Sequence, residues 1–596
     1  MQLFLNGRQV FPDDSLTVKL TRENPYFSRS DSYTFDVSLP MHIRQNRAAL
    51  GHVHRIDQSK AALPVFSARL YADNELVLRG TARVVRITQD AVSLQLLGGS
   101  SEVNFLSADN GDYVDELDLG TFLFARSGRG GDFSASVSSG VRYAHVSVNN
   151  EDDEEEPHPS SVPSGRAFPY LNQYCLVDIV CRVIAHYGYD VVRCDADVEP
   201  WNCLYVATAK TTTQVSHTLP HWTVREFLDE VCAFFNATIV TDELTRRAAF
   251  VFNPQLFAGA PVFSISPDSE YQTDVSQDDA DASVLCNSNI SFGLSSSPHH
   301  DYDCLPDSVR EGAPRSGYDS YDALRQAYAA MTAEQRRSQL FACPRGLFAA
   351  WLTDYSDVDG SEEQENLIAV DVFSPLIRDA SISSVRSLKV VPVAMARLSF
   401  YHGERPGIDT VYYTVPSLEN PTGSDFPERL SGEDGNATIQ DYVMGSASLD
   451  KSEKEDLLQV MFVDDVNIVY STMSIRPDAT PYKKLREVSG PAGFTSWLYK
   501  EPHTGSFHRP WSLSLNPTNA EHYLGELHRN PFRLDMHTRL VVSFLWDRAA
   551  TGLTLPPPTA IYNIRGRRYL CEKMEASVTA QGILPLITGH FREIVS

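Results

Sequence analysis

Apolar and polar residues alternate over long stretches at both ends of this 596-residue chain. The alternation is clear in residues 16–20, 33–39 and 66–71, and it continues through residues 76–87 and 91–97. A period of two places every second side chain on one face of a β-strand, so each stretch predicts a strand with one buried face. Short strands at this spacing predict a small β-barrel or β-sandwich over the first 107 residues.

One of these stretches predicts individual side-chain positions. Tyr33, Phe35, Val37 and Leu39 are two residues apart, so a regular strand would bury all four on one face. The N-terminus itself predicts a strand that runs into a turn at Asn6-Gly7, and it lacks the pattern of a signal peptide. Further turns are expected at residues 73–75 and at residues 89–90.

Composition divides the remaining chain into four segments. Residues 108–165 contain glycines, prolines and the acidic run 151–156, whose repelling charges predict an exposed loop. Carboxylates also suit calcium, but the run lacks the alternation and central glycine of a known calcium loop. Residues 166–262 predict an α+β domain, 263–384 an irregular segment with short helices, and 385–596 a β-rich region that ends in a meander. The fold class is therefore mainly β with an α+β part, in several domains.

The α+β domain carries the clearest helix signals. Residues 174–187 have apolar residues at helical spacing and end at Gly188, a usual helix stop. A second helix begins at Thr223, with Glu226 three residues later as in a capping box. Its apolar stripe should lie on the two strands that follow at residues 237–241 and 247–252; the stripe consists of Val224, Phe227, Leu228, Val231, Cys232 and Phe235.

Charge and cysteine content exclude several classes of protein. The chain has 51 Lys and Arg against 77 Asp and Glu, a net charge of −26, whereas a protein that wraps nucleic acid needs a basic face. No apolar run approaches the roughly 20 residues of a membrane helix, so no membrane-spanning segment is expected. The nine cysteines include no Cys-x-x-Cys, which argues against a zinc ribbon. Their odd number argues against a disulfide scaffold and favours reduced thiols in a protein made in the cytoplasm.

Catalytic motifs are missing from the sequence. It has no Gly-x-Gly-x-x-Gly, no Walker motif, no His-Glu-x-x-His and no Gly-x-Ser-x-Gly. His52 and His54 would lie on one face of a strand, and residues 299–304 hold several metal-ligand types, but neither set is complete. Asp464 and Asp465 offer carboxylates without a visible partner across a cleft. We therefore predict no catalytic residue, no cofactor-binding residue and no metal site, and hence no enzyme.

The six tryptophans have two interpretations. Exposed indoles stack on sugars, whereas indoles scattered along a chain more often anchor cores or interfaces. Their scatter favours the second interpretation; the residues are Trp201, Trp222, Trp351, Trp497, Trp511 and Trp546.

Three parts of the sequence resemble the baseplate-hub and tail-associated family of bacteriophage tail proteins, of the type found in phages and prophages of gut Bacteroidales. Residues 222–242 are similar to the helix-then-hairpin unit of hub and late-control proteins. Residues 568–578 with Gly589-His590-Phe591 resemble the C-terminal meander of large tail proteins. The N-terminal β unit looks like the tube-like domain that opens hub proteins, through residues 1–7, 24–27, 32–40 and 76–82.

The resemblance implies a structural protein of a phage tail tip or baseplate, located in the virion tail and assembled in the bacterial cytoplasm. It implies a hub ring, a trimer in this family, that closes the tail tube. Expected partners are a tail tube or distal tail protein, the tape measure protein and receptor-binding or fibre proteins, with DNA only in transit. Acidic walls would let DNA pass without binding, although the acids also suit an ordinary soluble surface.

A different class stays open at this point. The aromatic content and the loop-rich C-terminal half are also typical of a carbohydrate-binding or receptor-binding β protein. No lysozyme or peptidase module is recognisable, which favours a structural hub over a wall-degrading tip.

Overall fold

The computed structural model describes most of the two ends of the chain and selected parts of its middle. Elements are numbered along these described residues only. The described ranges are 1–120 (without 14, 29 and 59–62), 136–138, 141–147, 170–208, 214–268, 271–275, 289–293, 315–343, 346–353, 364–370, 375–378, 384–401, 410–417, 457–463, 487–489, 499–500, 507–508, 511–517, 522–529 and 532–595 (without 536).

Strands predominate among these elements. Up to residue 265 they are β1 (Gln2–Leu5), β2 (Arg8–Val10), β3 (Val18–Glu23), β4 (Ser32–Thr34), β5 (Val37–Pro40), β6 (Phe66–Ala72), β7 (Glu75–Ile87), β8 (Ala91–Gly98), β9 (Ser136–Ser138), β10 (Val141–Ser147), β11 (Tyr170–Cys175), β12 (Asp190–Cys194), β13 (Leu204–Val206), β14 (Ala237–Asp242), β15 (Arg247–Phe252) and β16 (Val262–Ile265).

The later strands continue the numbering. They are β17 (Gln272–Val275), β18 (Asn289–Phe292), β19 (Arg315–Gly317), β20 (Leu340–Cys343), β21 (Gly346–Thr353), β22 (Gln364–Val370), β23 (Leu376–Ile377), β24 (Arg386–Leu388), β25 (Val390–Pro392), β26 (Ala394–Tyr401), β27 (Thr410–Ser417), β28 (Leu458–Val463), β29 (Glu487–Ser489), β30 (Tyr499–Lys500), β31 (Phe507–His508), β32 (Trp511–Ser512), β33 (His522–Tyr523), β34 (Arg533–Leu534), β35 (Thr538–Leu545), β36 (Ile561–Ile564), β37 (Arg567–Thr579) and β38 (Gly582–Val595).

The helices are fewer and mostly short. The α-helices are α1 (Arg44–Ala49), α2 (Gly99–Asn110), α3 (Leu176–His186), α4 (Val224–Phe234), α5 (Asn253–Leu256), α6 (Tyr321–Ala330), α7 (Ala333–Arg337) and α8 (Arg548–Thr551). Single 3-10 turns occupy Val114–Glu116, Trp201–Cys203, Ser216–Thr218 and Leu524–Glu526. Within the described ranges, no helix is long and apolar enough to cross a bilayer.

The largest sheet combines both ends of the chain. Its 15 strands follow a main path β17-β35-β38-β37-β3-β4-β8-β7-β6-β1-β2, with β5, β16, β34 and β36 attached at its sides. Strand β3 pairs with the C-terminal β37, from Val18 opposite Val578 to Glu23 opposite Lys573. A closed N-terminal barrel would need β3 to pair with β2 at the other end of the N-terminal strands. Since β3 pairs with β37 instead, the described strands form an open sheet. The mainly β class is confirmed, whereas a closed barrel over the first 107 residues is wrong.

Polar contacts also join the two ends. The Met1 amino group donates to the carbonyl oxygen of Ala580 at 2.9 Å. The Asn24 side-chain amide donates to the carbonyl oxygen of Cys571 at 2.8 Å. Residues more than 500 positions apart therefore belong to one body, and the proposed segment boundaries at 107 and 385 stay predictions.

The predicted buried face of residues 33–39 is wrong in part. Val37 and Leu39 are fully buried, whereas Phe35 is 53% exposed. The stretch forms two strands, β4 and β5, and Asp36 between them has a φ of 31°, in the left-handed region. This interruption breaks the alternation, so Tyr33 and Phe35 lie together away from the core, with ring centroids 5.3 Å apart.

The other N-terminal strand predictions hold. Strands β6, β7 and β8 lie where alternation placed them, and Asp73 and Asn74 form the turn between β6 and β7 with φ of 53° and 64°. Residues 99–107, expected to be part of the β domain, instead begin helix α2.

Helices α2, α3 and α4 and the three-stranded sheet β12-β15-β14 form what we call the central unit. Helix α3 stops before Gly188, which has a φ of 79°. Helix α4 is capped by Thr223, whose hydroxyl accepts the Glu226 N–H at 3.2 Å. The predicted α4 stripe is buried throughout, and the helix contacts β14 as expected; it also contacts β24 and β25, which come from far along the chain.

Two main cores result, one formed by the central unit together with β11, β13, β25 and β28, and one in the large sheet. Trp201, Trp222 and Trp511 are buried in the first, and Trp546 is buried in the second. The core interpretation of the tryptophans is confirmed for these four. The Trp351 side chain and Trp497 lie outside the described parts of the chain.

The segment 263–384 is more regular than predicted. Its short helices are present as α6 and α7, and Thr332 with Gln335 forms the expected capping box at the start of α7. It also contributes β17 to the large sheet, and its strands β19 to β22 form a sheet of four. The C-terminal meander is confirmed for β36, β37 and β38, whereas β35 pairs with β38 and not with β36.

Candidate functional site

The structure does not support a metal site at the histidine pair. His52 has a φ of 61° and lies in a turn, so the strand that would align it with His54 is not formed. Their ring centroids are 6.1 Å apart. Among the described residues, no group of three or more His, Cys, Asp or Glu is placed to hold a metal ion. Residues 151–156, 299–304 and 464–465 lie outside the described ranges.

Three buried carboxylates lie where the large sheet meets the central unit. Asp31 directly precedes β4, Glu102 is on α2, and Glu243 is in the turn between β14 and β15. Their residues are 8%, 1% and 5% exposed. Arg22 pairs with Glu243, and Arg246 pairs with Glu102. We call these five residues the seam cluster.

The Glu102 carboxylate accepts hydrogen bonds from three side chains. The hydroxyls of Thr81 and Tyr189 each donate to it at 2.7 Å. The Arg246 guanidinium donates to both of its oxygens, one of them at 3.2 Å, and stands 4.7 Å from the centre of the Tyr189 ring. Burial and the Glu102 charge raise the pKa of Tyr189, which keeps its hydroxyl a donor. A buried carboxylate is tolerated when it is paired and hydrogen-bonded in this way.

The Asp31 carboxylate has fewer hydrogen-bond donors than Glu102 to offset its burial. The Thr241 hydroxyl donates to it at 2.5 Å, and its own N–H donates to the Ser101 hydroxyl at 2.8 Å. Arg22 lies 3.6 Å from Glu243. Burial, and then the charge of Glu243, raise the pKa of Asp31 to about 7. Arg22 pairs with Glu243, while neutral hydroxyls donate to Asp31, so Asp31 keeps its proton up to near-neutral pH.

A glycine permits this close approach. Gly99 begins α2 with a φ of +59°, and a Cβ there would lie 2.3 Å from the Asp31 carboxylate and 2.5 Å from the Thr241 hydroxyl. Sequence reasoning missed the seam cluster, because its members come from four separate stretches without a common spacing. The pair Gly98-Gly99 before a polar helix start was the available signal.

A groove lies beside the end of β7. Strand β6 pairs with β7 only as far as Phe66 opposite Ala82, while β7 continues to Ile87. The resulting groove has a volume of about 340 Å³ and is lined mainly by apolar side chains, together with Arg83 and Asp109; the apolar residues are Leu63, Pro64, Val65, Val84, Val85 and Phe105.

A second apolar surface lies at the end of the β35–β38 pair. Leu545 is 61% exposed, Leu584 42% and Leu586 44%. Leu545 is paired with Leu586, and Leu584 is two residues from Leu586, so all three point to the same face. We call these three residues the leucine tip.

His528 is a buried imidazole in the central unit. Its Nε2 donates to the carbonyl oxygen of Phe234 at 3.0 Å, and burial lowers its pKa to about 4. The folded state therefore favours neutral His528, whereas the unfolded chain takes up a proton near pH 6.5. We expect this residue alone to cost about 3 kcal/mol of stability as the pH falls from 6.5 to 4.

Urea unfolding at several pH values measures this effect. In the variant His528→Gln, which keeps an N–H donor without the titration, stability should fall less between pH 6.5 and pH 4 than in the wild type. An equal loss in the two proteins would assign the acid sensitivity to other groups.

Comparisons with known proteins give weak structural similarities only. No protein-family profile and no curated protein matches the chain. It is similar to the 43 kDa tail protein of prophage MuSo2 from Shewanella oneidensis, with a TM-score of 0.31 and 8% identity over 100% of this chain and 97% of that one. It is also similar to a tail protein from Neisseria meningitidis MC58, with a TM-score of 0.31 and 8% identity over 99% and 95%. Such values are too low to define the fold or the role of this chain.

Proposed function

We propose that this protein is a structural component of a bacteriophage tail and that it forms a hub ring at the tail tip or baseplate. The observation that supports a structural role is the open sheet of 15 strands, which joins both ends of the chain and carries the leucine tip. The phage assignment rests on the three sequence segments that resemble hub and tail-associated proteins.

The leucine tip is the surface we assign to contact between copies. Three exposed leucines on one face are costly to leave in water, and their burial between subunits is favourable. The same face of the β35–β38 pair continues into polar side chains, with Ser543 and Thr588 hydroxyls 3.1 Å apart next to the leucines. An apolar patch with a polar border is typical of a protein interface.

The remaining partners follow from the hub role. A hub ring would contact a tail tube or distal tail protein, the tape measure protein and receptor-binding or fibre proteins. DNA would pass through the ring without binding, and a net charge of −26 disfavours contact with phosphates.

The alternative of a sugar-binding protein gains nothing from the described tryptophans. The four whose side chains are described are at least 95% buried, so they offer no stacking surface.

Sedimentation velocity of the purified chain tests the ring. We expect a closed oligomer, a trimer, and we expect Leu545→Glu with Leu586→Glu to weaken association at least tenfold, because two carboxylates would be buried at the contact. The matched control is Val198→Glu, an equally exposed position at 55% on the central part of the chain. It should assemble like the wild type.

Two results would contradict the proposal. One is a wild-type monomer that binds glycans. The other is a leucine-tip variant that associates as tightly as the wild type while its thermal unfolding is unchanged.

A further inference from the structure

We infer that the junction between the large sheet and the central unit is proton-sensitive: one proton on Asp31 tightens it, and loss of that proton loosens it. This inference concerns the seam cluster and goes beyond the proposed tail function. It depends on three features: the charge balance, the burial, and the elements that meet there.

The charge balance leaves one negative charge in excess. The seam cluster has three carboxylates and two guanidiniums. Arg246 is held by both oxygens of Glu102, so only Arg22 is left for Asp31 and Glu243.

Other groups around the cluster do not remove this excess. Arg79 on β7 donates to the carbonyl oxygen of Leu244 at 3.1 Å. Glu23 on β3 accepts the Tyr33 hydroxyl at 2.8 Å, and Asp242 on β14 accepts the Thr245 hydroxyl at 2.6 Å. A proton on Asp31 removes this excess, because the seam cluster then has two charged carboxylates and two guanidiniums.

The cluster connects elements that otherwise belong to different cores. Asp31 comes from the large sheet, whereas Thr241 and Glu243 come from the β14–β15 hairpin of the central unit. Repulsion between Asp31 and Glu243 therefore acts across the junction and not inside one core. Its effect should be a local opening of the hairpin and of α2, which begins at Gly99 between them.

The stability of the junction should fall as the pH rises, because the pKa of Asp31 is higher in the folded protein than in the unfolded chain. Asp31 keeps its proton to about pH 7 in the folded protein, whereas an unfolded aspartate loses it near 3.8. The junction is therefore stabilised by the proton at low pH, and this stabilisation is lost as the pH rises through 7. Between pH 6 and pH 8 the opening equilibrium should increase about tenfold.

Hydrogen exchange of the full-length protein at pH 6 and pH 8, corrected for intrinsic exchange rates, measures this opening. In the wild type, peptides from α2 and from the β14–β15 hairpin should open about tenfold more at pH 8. In Asp31→Asn, a neutral side chain of the same shape, the two pH values should give equal opening. The matched control Asp274→Asn removes a carboxylate that pairs with Arg539 at 3.4 Å on the same sheet, and it should behave like the wild type.

Equal opening of the wild type at the two pH values, or a tenfold change that persists in Asp31→Asn, would overturn the inference. Glu243→Gln is the second variant if Asp31→Asn does not fold, and it should reduce the pH effect because the repelling charge is gone. His528 changes stability in the opposite direction over this range, so each variant is compared with the wild type at the same two pH values.

Discussion

Replacing Phe227 by alanine should lower the free energy of unfolding by about 3 to 5 kcal/mol. Phe227 is completely buried at the centre of the α4 stripe, within the core that also contains Phe235 and Trp222. The helix is held on one side by β14 and on another by β24 and β25, so the surrounding side chains have little freedom to fill the cavity.

Urea unfolding of the purified protein measures the loss. The matched control is Phe35→Ala, because Phe35 is 53% exposed and its replacement removes little buried area. It should cost less than about 1 kcal/mol. Equal losses of unfolding free energy at the two positions would show that α4 is not part of a central core.

Replacing Arg246 by alanine should cost a similar amount, about 3 to 5 kcal/mol. The side chain of Glu102 is only 2% exposed, and without Arg246 its charge would be balanced by no guanidinium that contacts it in the described structure. The Thr81 and Tyr189 hydroxyls would remain, but two neutral donors compensate a buried charge only in part.

Two further variants test whether the loss of stability comes from the charges of the buried Arg246–Glu102 pair. Arg567→Ala removes an exposed arginine that pairs with Glu593 at 3.0 Å, and it should have little measurable effect. The double variant Arg246→Met with Glu102→Gln removes both charges and should recover most of the lost stability. A double variant as unstable as Arg246→Ala would show that the arginine acts through packing and not through its charge.

The parts of the fold that depend on local pattern were predictable from the sequence. Strand β6 alternates strictly, and α4 carries both its stripe and its Thr223 cap, because these signals come from neighbouring residues. The interruption at Asp36 was not predictable, since the residues on both sides continue the same alternation. Helix α2 was missed because its residues show no apolar stripe.

Long-range arrangement was not predictable for a different reason. Nothing in the alternation of β3 specifies β37 as its partner, more than 500 residues away. The seam cluster depends on that arrangement, because Asp31 meets Thr241 only after the large sheet and the hairpin are assembled. The prediction of no catalytic, cofactor or metal site stays untested.

A cryo-electron microscopy map of the phage particle that contains this protein tests the hub ring most directly. We expect density for the 15-stranded sheet at the distal end of the tail, repeated three times around the channel, with the leucine tip between neighbouring copies. Density for the chain in a peripheral fibre, or as a single copy away from the tail axis, would contradict the proposed function.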